Sequence, residues 1–364
     1  MKPPIFPRDL PFEPVRTAVV GLGYWGPNLI RNLNELEVAE LRWICDLDQS
    51  RLDTFGRRYP AVSCTRDFAD LLADPELEAI AIATPVSTHY PLAHAVLEAG
   101  KHVFIEKPLA ASVAEAEKLA TMAAQRNLTL MPGHTFLYSP PVNMIRELIV
   151  GGELGDIYFI SMSRVNLGLH QSDVSVAWDL GPHDFSILRY WLDETPSHLS
   201  AMSRSCVFPT IPDVAFINLE YERGAIAHVE LSWLAPSKLR RTTIVGSRKM
   251  IVYDDVSNEP VRVFDSGVML DDPQSFGEFQ LSYRTGEIVS PAVRPAEPLQ
   301  VEMADFCSAI RMNTSPRSSA ELGIEVVRMI EAVDQSLGSA SARVRLSREL
   351  VADDDQAPAV STQL

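Results

Sequence analysis

Residues 17–26 read Thr17-Ala-Val-Val-Gly-Leu-Gly-Tyr-Trp-Gly26. A short β-rich apolar run stops at a glycine, two more glycines follow at positions 23 and 26, and a helical pattern opens at Trp25. In that context the spacing G-x-G-x-x-G has a mechanical meaning. Gly21 permits a tight turn, Gly23 lets the backbone approach a pyrophosphate, and Gly26 lets the helix pack closely on the strand. The helix N-terminus then turns its free N–H groups toward the anion. Tyr24 and Trp25 belong to the same loop and are candidates to line a bound dinucleotide. Asp46 follows 20 residues after Gly26, at the end of the next expected strand, where a carboxylate bonds the ribose hydroxyls. A carboxylate there repels a 2′-phosphate, so the sequence points to NAD rather than NADP. Arg51 is close enough in sequence to reach a phosphate, although a helix-surface arginine is ordinarily solvated.

The pattern extends outward from this loop. Strands are expected at 17–21, 41–45, 79–83, 103–106 and 129–131, with helices at 25–36, 49–59, 88–99 and 113–126. Ser112 and Glu115 form a capping box before the last of these helices. Near-continuous apolar strands separated by amphipathic helices make βαβ units, hence a parallel sheet covered on both faces. Beyond Gly133 the rhythm changes. Helices are expected at 140–149 and 182–192, and strands at 157–164, 215–221, 227–233, 241–245 and 250–253. The stretch 255–298 reads as loop with strand fragments, and 299–311 and 320–337 as helices. Strands in succession without intervening helices imply an open, mostly antiparallel sheet. The expected organisation is therefore α/β overall. A flexible arm (1–15) precedes a dinucleotide-binding domain (16–134) and an α+β substrate and oligomerisation domain (135–338), and a tail (339–364) is disordered at its end.

At 364 residues the chain is long enough for two domains. Its apolar share of 46% supports real cores. A net charge of −16 argues against nucleic acid and against an anionic membrane surface. No apolar run approaches a membrane span. The proline-rich start lacks the apolar stretch of a signal peptide. Cys45, Cys64, Cys206 and Cys307 are far apart, which reads as free thiols in a reducing compartment. The expectation is a soluble cytoplasmic protein.

Three further stretches carry chemistry. Ala83-Thr84-Pro85 ends a strand, where ligands of open α/β sheets bind, and His89 opens the following helix. Glu106-Lys107-Pro108 ends the next strand and directs Lys107 to the same crevice. Trp178-Asp179-Leu-Gly-Pro-His183 sets a carboxylate and an imidazole four residues apart, on one face if the turn is helical. Each has a plainer reading, as a strand end with a surface lysine or as an N-cap. His94, His102, His170, His198 and His228 read as structural. No H-E-x-x-H or other zinc spacing occurs, so no metal is expected, and no G-x-S-x-G elbow suggests a serine hydrolase.

Taken in register, the glycine loop, Ala83-Thr-Pro with His89, Glu106-Lys-Pro and Asp179-x-x-x-His183 resemble the Gfo/Idh/MocA family of dinucleotide-dependent oxidoreductases. The resemblance runs from about Arg16 to Leu337 and includes the closing helices around Glu302-Met-Ala-Asp-Phe and Glu321-Leu-Gly-Ile-Glu. It implies a Rossmann domain followed by an α/β domain whose open sheet often forms an oligomer interface, hence a homodimer or homotetramer. It also implies that Lys107, Asp179 and His183 are the catalytic lysine, aspartate and histidine. An imidazole suits removal of a hydroxyl proton at neutral pH, and an ammonium suits a developing alkoxide. Asp179 would orient His183 or hold a substrate hydroxyl.

Family substrates are mostly polyols, so His134, Arg164, Asn166 and Trp178 are read as substrate-binding with Asp179 and His183. Arg240-Arg241 could meet a diphosphate, although a solvated face is the plainer reading. The stretches around Gly23-Tyr-Trp-Gly-Pro-Asn and Ser232-Trp-Leu resemble the branch acting on nucleotide sugars, which implies a 3-dehydrogenase. The alternatives are an inositol or free-sugar dehydrogenase, a ketosugar reductase, an NAD-dependent glycosidase and a non-catalytic dinucleotide sensor.

Overall fold

The computed structural model describes residues 13–168, 170, 174–271 and 280–346. Its first layer is a six-stranded parallel sheet built from β1 (Val15–Val20), β2 (Ala39–Cys45), β3 (Ser63–Thr65), β4 (Ala79–Ile82), β5 (His102–Glu106) and β6 (Leu130–Gly133). The strand order is β3-β2-β1-β4-β5-β6, and every pairing is parallel. Helices α1 (Gly26–Glu35), α2 (Gln49–Arg58), α3 (Phe68–Ala73), α4 (His89–Glu98) and α5 (Val113–Gln125) connect them. The order reverses beside β1, between β1 and β4, which opens a crevice at the carboxyl ends of the strands. Strand β4 is buried at all four positions, as a strand covered on both faces requires. The strand β3 and the helix α3 escaped the sequence reading, because three and six residues are too short to show a period.

The second layer is a nine-stranded sheet. Its strands are β7 (Ile157–Val165), β8 (His198–Arg204), β9 (Val214–Glu220), β10 (Ile226–Ser232), β11 (Leu239–Gly246), β12 (Met250–Asp254), β13 (Val261–Asp271), β14 (Gln280–Val289) and β15 (Val344–Arg345). All pairings are antiparallel except β7 with β10. One face packs on α6 (Pro140–Val150), α7 (Val176–Leu192) and α9 (Ala320–Gly338), around Trp191, Phe185 and Ile217. The opposite face exposes two separate apolar pairs, Phe159 beside Ile226 across β7 and β10, and Phe216 beside Met202 across β9 and β8.

Four expectations change. The stretch 255–298 contains β13 and β14, the two longest strands of the molecule as described, rather than loop fragments. Its turn residues obscured the alternation. Helix α7 begins at Val176 rather than Pro182, because the Ser175 hydroxyl caps it by accepting the Trp178 N–H at 3.5 Å. Pro182 therefore lies inside the helix rather than in its first turn. Val344 and Arg345, expected in a tail, pair as β15 with β8. Finally, α8 (Pro298–Met312) returns to the first layer, where Met303, Phe306 and Cys307 join the core formed with Leu29, Ile44 and Phe104. Most of the expected arm (1–12) and the end of the tail lie outside the described residues. Within the described residues, no helix is long and apolar enough to cross a membrane.

Candidate active site

A cleft of about 1940 Å³ runs between the two layers. That exceeds the range of about 300–1,000 Å³ usual for a single small ligand, and leaves room for a dinucleotide beside a substrate. The glycine loop forms one end. Gly21 adopts φ +91°, and a Cβ there would fall 2.5 Å from the Ala83 carbonyl oxygen. A Cβ on Gly26 would fall 1.9 Å from the Gly21 carbonyl oxygen, so that position is fixed by helix-to-turn packing. Gly23 borders the cleft and has nothing within 4 Å of where a Cβ would stand. Its missing side chain leaves space on the ligand side, as a pyrophosphate cradle needs.

Asp46 ends β2 beside this loop. Its carboxylate accepts the Leu22 N–H at 2.6 Å and the Asp48 N–H at 2.8 Å. Arg51 lies 3.5 Å from the same carboxylate and from that of Asp48, so it is paired rather than freely solvated. Tyr24, Trp25, Thr84, Pro85 and Glu106 also border the cleft. The Trp25 indole nitrogen and the Glu106 carboxyl are buried beside each other in the cleft wall, short of a well-formed hydrogen bond. Burial pushes the Glu106 carboxyl up to about 8, against the pull of Lys107 and smaller hydrogen-bond contributions.

His89 departs from expectation. It is buried and does not border the cleft. Its two ring nitrogens lie 2.8 Å from the Pro108 carbonyl oxygen and 2.9 Å from that of Thr84. It ties together the turns that present Thr84 and Lys107 and leaves no ring nitrogen facing the cleft.

At the other end, Lys107, Asp179 and His183 come together in the cleft wall. The Lys107 ammonium donates to the Asp179 backbone carbonyl at 2.7 Å and to its carboxylate at 3.2 Å. The second Asp179 carboxyl oxygen accepts the Trp233 indole N–H at 3.1 Å. His183 Nδ1 is buried without a partner, so the expected orienting contact from Asp179 to His183 is not formed. Phe136 packs edge-on against the imidazole at 5.1 Å. Burial, then Lys107, Arg164, Arg240 and His134, hold His183 well below the usual imidazole range. It is consequently neutral at neutral pH.

The substrate candidates divide. Asn166 borders the cleft. Arg164 does not: it is buried in a two-contact pair with Asp184, at 2.6 and 3.0 Å, beneath the Phe136 ring. Trp178 turns away and donates to the Asp334 carboxylate at 2.7 Å. His134 is also buried behind the wall with both ring nitrogens unpartnered, and burial lowers it to about 3. Phe136, His170, Trp233 and Arg240 line the cleft instead. The sequence marks His170 as structural and Arg240 as solvated, and both instead border the cleft. Trp233 ends an expected strand and lies in the Ser232-Trp-Leu stretch, where it is not read as a site residue, and Phe136 falls between two expected elements. Alternation along β10 and β11 is the one signal that bears on Trp233 and Arg240; Phe136 and His170 lie on neither strand. Among the described residues no group of three or more His, Cys, Asp or Glu is placed to hold a metal.

Comparison with known proteins agrees with this architecture. Residues 15–134 match the model of an oxidoreductase family with an NAD-binding Rossmann fold, and residues 142–252 match the GFO/IDH/MocA C-terminal domain. The oxidoreductase YrbE of Bacillus subtilis is 25% identical over 88% of this chain and 94% of its own. Myo-inositol 2-dehydrogenase of Thermotoga maritima is 24% identical over 69% and 78%. UDP-N-acetylglucosamine 3-dehydrogenase of Acidithiobacillus ferrooxidans is 26% identical over 67% and 75%. Among solved structures, GenD2 from gentamicin A biosynthesis, in complex with NAD, superposes with a TM-score of 0.79. It is 22% identical and covers 92% of this chain and 97% of its own, a likeness of fold.

Proposed function

Because the chain belongs to the Gfo/Idh/MocA family of NAD-binding oxidoreductases, we propose that it oxidises a secondary alcohol of a sugar carried on a nucleotide, in the manner of a 3-dehydrogenase. The observation that carries the reading is the convergence of Lys107 and His183 on a cleft whose far end is the glycine loop. The chemistry that bound NAD would supply here is a hydride acceptor for the carbinol carbon. The chain supplies the rest. Gly21, Gly23 and the α1 N-terminus would hold the pyrophosphate, and Asp46 would hold the adenosine ribose. Neutral His183 takes the hydroxyl proton. The Lys107 ammonium has three N–H donors and gives two to Asp179, leaving one for the same oxygen as charge develops on it.

Arg240 favours a phosphate-bearing substrate. It borders the cleft above the Phe136 ring, with one nitrogen paired to Asp255 at 3.1 Å. The rest of its donor fork suits an anionic oxygen. The UDP-N-acetylglucosamine 3-dehydrogenase relative points the same way. The myo-inositol dehydrogenase relative supports a second reading, a cyclitol as substrate. The deciding measurement is NADH formation by the purified protein with UDP- and dTDP-linked sugars, free sugars and inositols. Turnover of nucleotide sugars supports the proposal, and exclusive turnover of inositols overturns it. The outer face of the second sheet, with its exposed pairs Phe159–Ile226 and Phe216–Met202, is assigned to a second copy of the chain. Sedimentation of the intact protein as a monomer would refute that assignment.

A further inference from the structure

We propose that Trp233 is a positioning residue, whose indole N–H commits Asp179 to Lys107 and withholds it from His183. The proposal rests on the catalytic reading of Lys107 given above.

The Asp179 carboxylate is held at both ends. Lys107 donates to one oxygen at 3.2 Å and Trp233 to the other at 3.1 Å. Rotating the carboxyl toward His183, one helical turn along α7, would break at least one of these contacts. His183 Nδ1 is correspondingly left buried and unpartnered. The site is thus a lysine–aspartate pair beside an independent neutral imidazole, rather than an aspartate–histidine dyad.

Trp233 is anchored well enough to impose this arrangement. It is 1% exposed. Its backbone N–H donates to the Asp213 carbonyl at 3.0 Å, and its backbone carbonyl accepts the Gly168 N–H at 3.0 Å. The His170 ring packs against the indole at 5.3 Å. A Cβ on Gly168 would stand 3.0 Å from the indole Cδ1, so the absence of a side chain there lets the ring reach its place. Packing alone could be met by Phe or Leu at position 233. A buried indole needs a partner for its N–H, and the partner here is the acceptor beside the ammonium. The segment around Asn166–Gly168, which lines the cleft, is thereby connected through one ring to the catalytic pair.

The test is a double-mutant cycle between Trp233→Phe and Asp179→Asn, with NADH formation as the readout on whichever sugar or cyclitol the wild type oxidises. Trp233→Phe should lower kcat about tenfold, the loss of a hydrogen bond to a charged group, with the dissociation constant for NAD unchanged. In the Asp179→Asn background the same substitution should cost less than about twofold. Gly168→Ala, which presses on the indole without opening a cavity, should show the same pattern with a smaller loss. Losses that multiply across the cycle, or a Trp233→Phe enzyme at the wild-type rate, overturn the proposal. Lys107→Met serves as the control: if it retains the wild-type rate, the catalytic reading itself has failed. A readout independent of turnover uses protein labelled with 15N-tryptophan, which gives five indole signals. The signal lost in Trp233→Phe should shift in Asp179→Asn and stay in place in His183→Asn. If it moves with His183 and ignores Asp179, the assignment is wrong.

Discussion

Lys107 and Asp179 lie 72 residues apart in sequence and are joined twice, through the backbone carbonyl at 2.7 Å and the carboxylate at 3.2 Å. The ammonium is thus held by an element of the second layer although it grows from a strand of the first. Replacing it with Met keeps the length of the side chain and removes the donors. Lys107→Met should lower kcat by about 100- to 1,000-fold, the loss seen when a donor to a developing oxyanion is removed. Binding of NAD, measured by calorimetry, should stay within about threefold, because the glycine loop and Asp46 are untouched.

His183 is neutral because burial and the neighbouring cations disfavour its charged form. A base held below the usual imidazole range remains available as the pH falls. The acid limb of kcat/KM should therefore lie well below pH 6.5, and a limb at or above 6.5 would refute the assignment of His183 as base. His183→Gln should cost about 100- to 10,000-fold in kcat.

The glycine loop, the strand-end lysine and the Asp179–His183 pair were legible from sequence because each is local. Gly21, Gly23 and Gly26 announce a turn through spacing alone. The partners of those residues were not legible. Asp179 was expected to serve His183 from helical spacing, yet its carboxylate goes to Trp233 and Lys107, contacts made across 54 and 72 residues. Arg164 looked like a cleft residue because its strand precedes the catalytic helix. Its side chain instead pairs with Asp184 below the wall, a choice made by packing between layers. The arrival of α8 on the first core was hidden for the same reason: an amphipathic pattern shows that a helix buries a face, without showing against what.

Glu106 provides a stability test. Its carboxyl is raised to about 8 by burial, while in the unfolded chain it ionises near 4.5. The unfolded state therefore gives up its proton first. The contribution is fully present below pH 4.5 and is lost as pH rises through about 8, by up to about 1.4 kcal/mol per pH unit in that window. Glu302, also raised by burial and by Glu106, works in the same direction. Glu106→Gln supplies a neutral side chain of the same shape. Its melting temperature should fall less than the wild type's between pH 5 and 8, and parallel curves would show that Glu106 is ionised in the folded protein.

Gly23 and Gly26 separate binding from folding. A methyl group at 26 would lie 1.9 Å from the Gly21 carbonyl oxygen, so either α1 or the turn must move. Gly26→Ala should lower the melting temperature by several degrees, as an overpacked site costing about 1–3 kcal/mol would, and weaken NAD binding along with it. At 23 the same methyl group meets nothing within 4 Å and projects into the space beside the helix N-terminus. Gly23→Ala should melt within about two degrees of the wild type, yet bind NAD at least about tenfold more weakly, because the backbone can no longer approach the pyrophosphate. Calorimetric titration of NAD beside a thermal melt distinguishes the two. If Gly23→Ala bound NAD as tightly as the wild type, the pyrophosphate would have to lie elsewhere than against this loop.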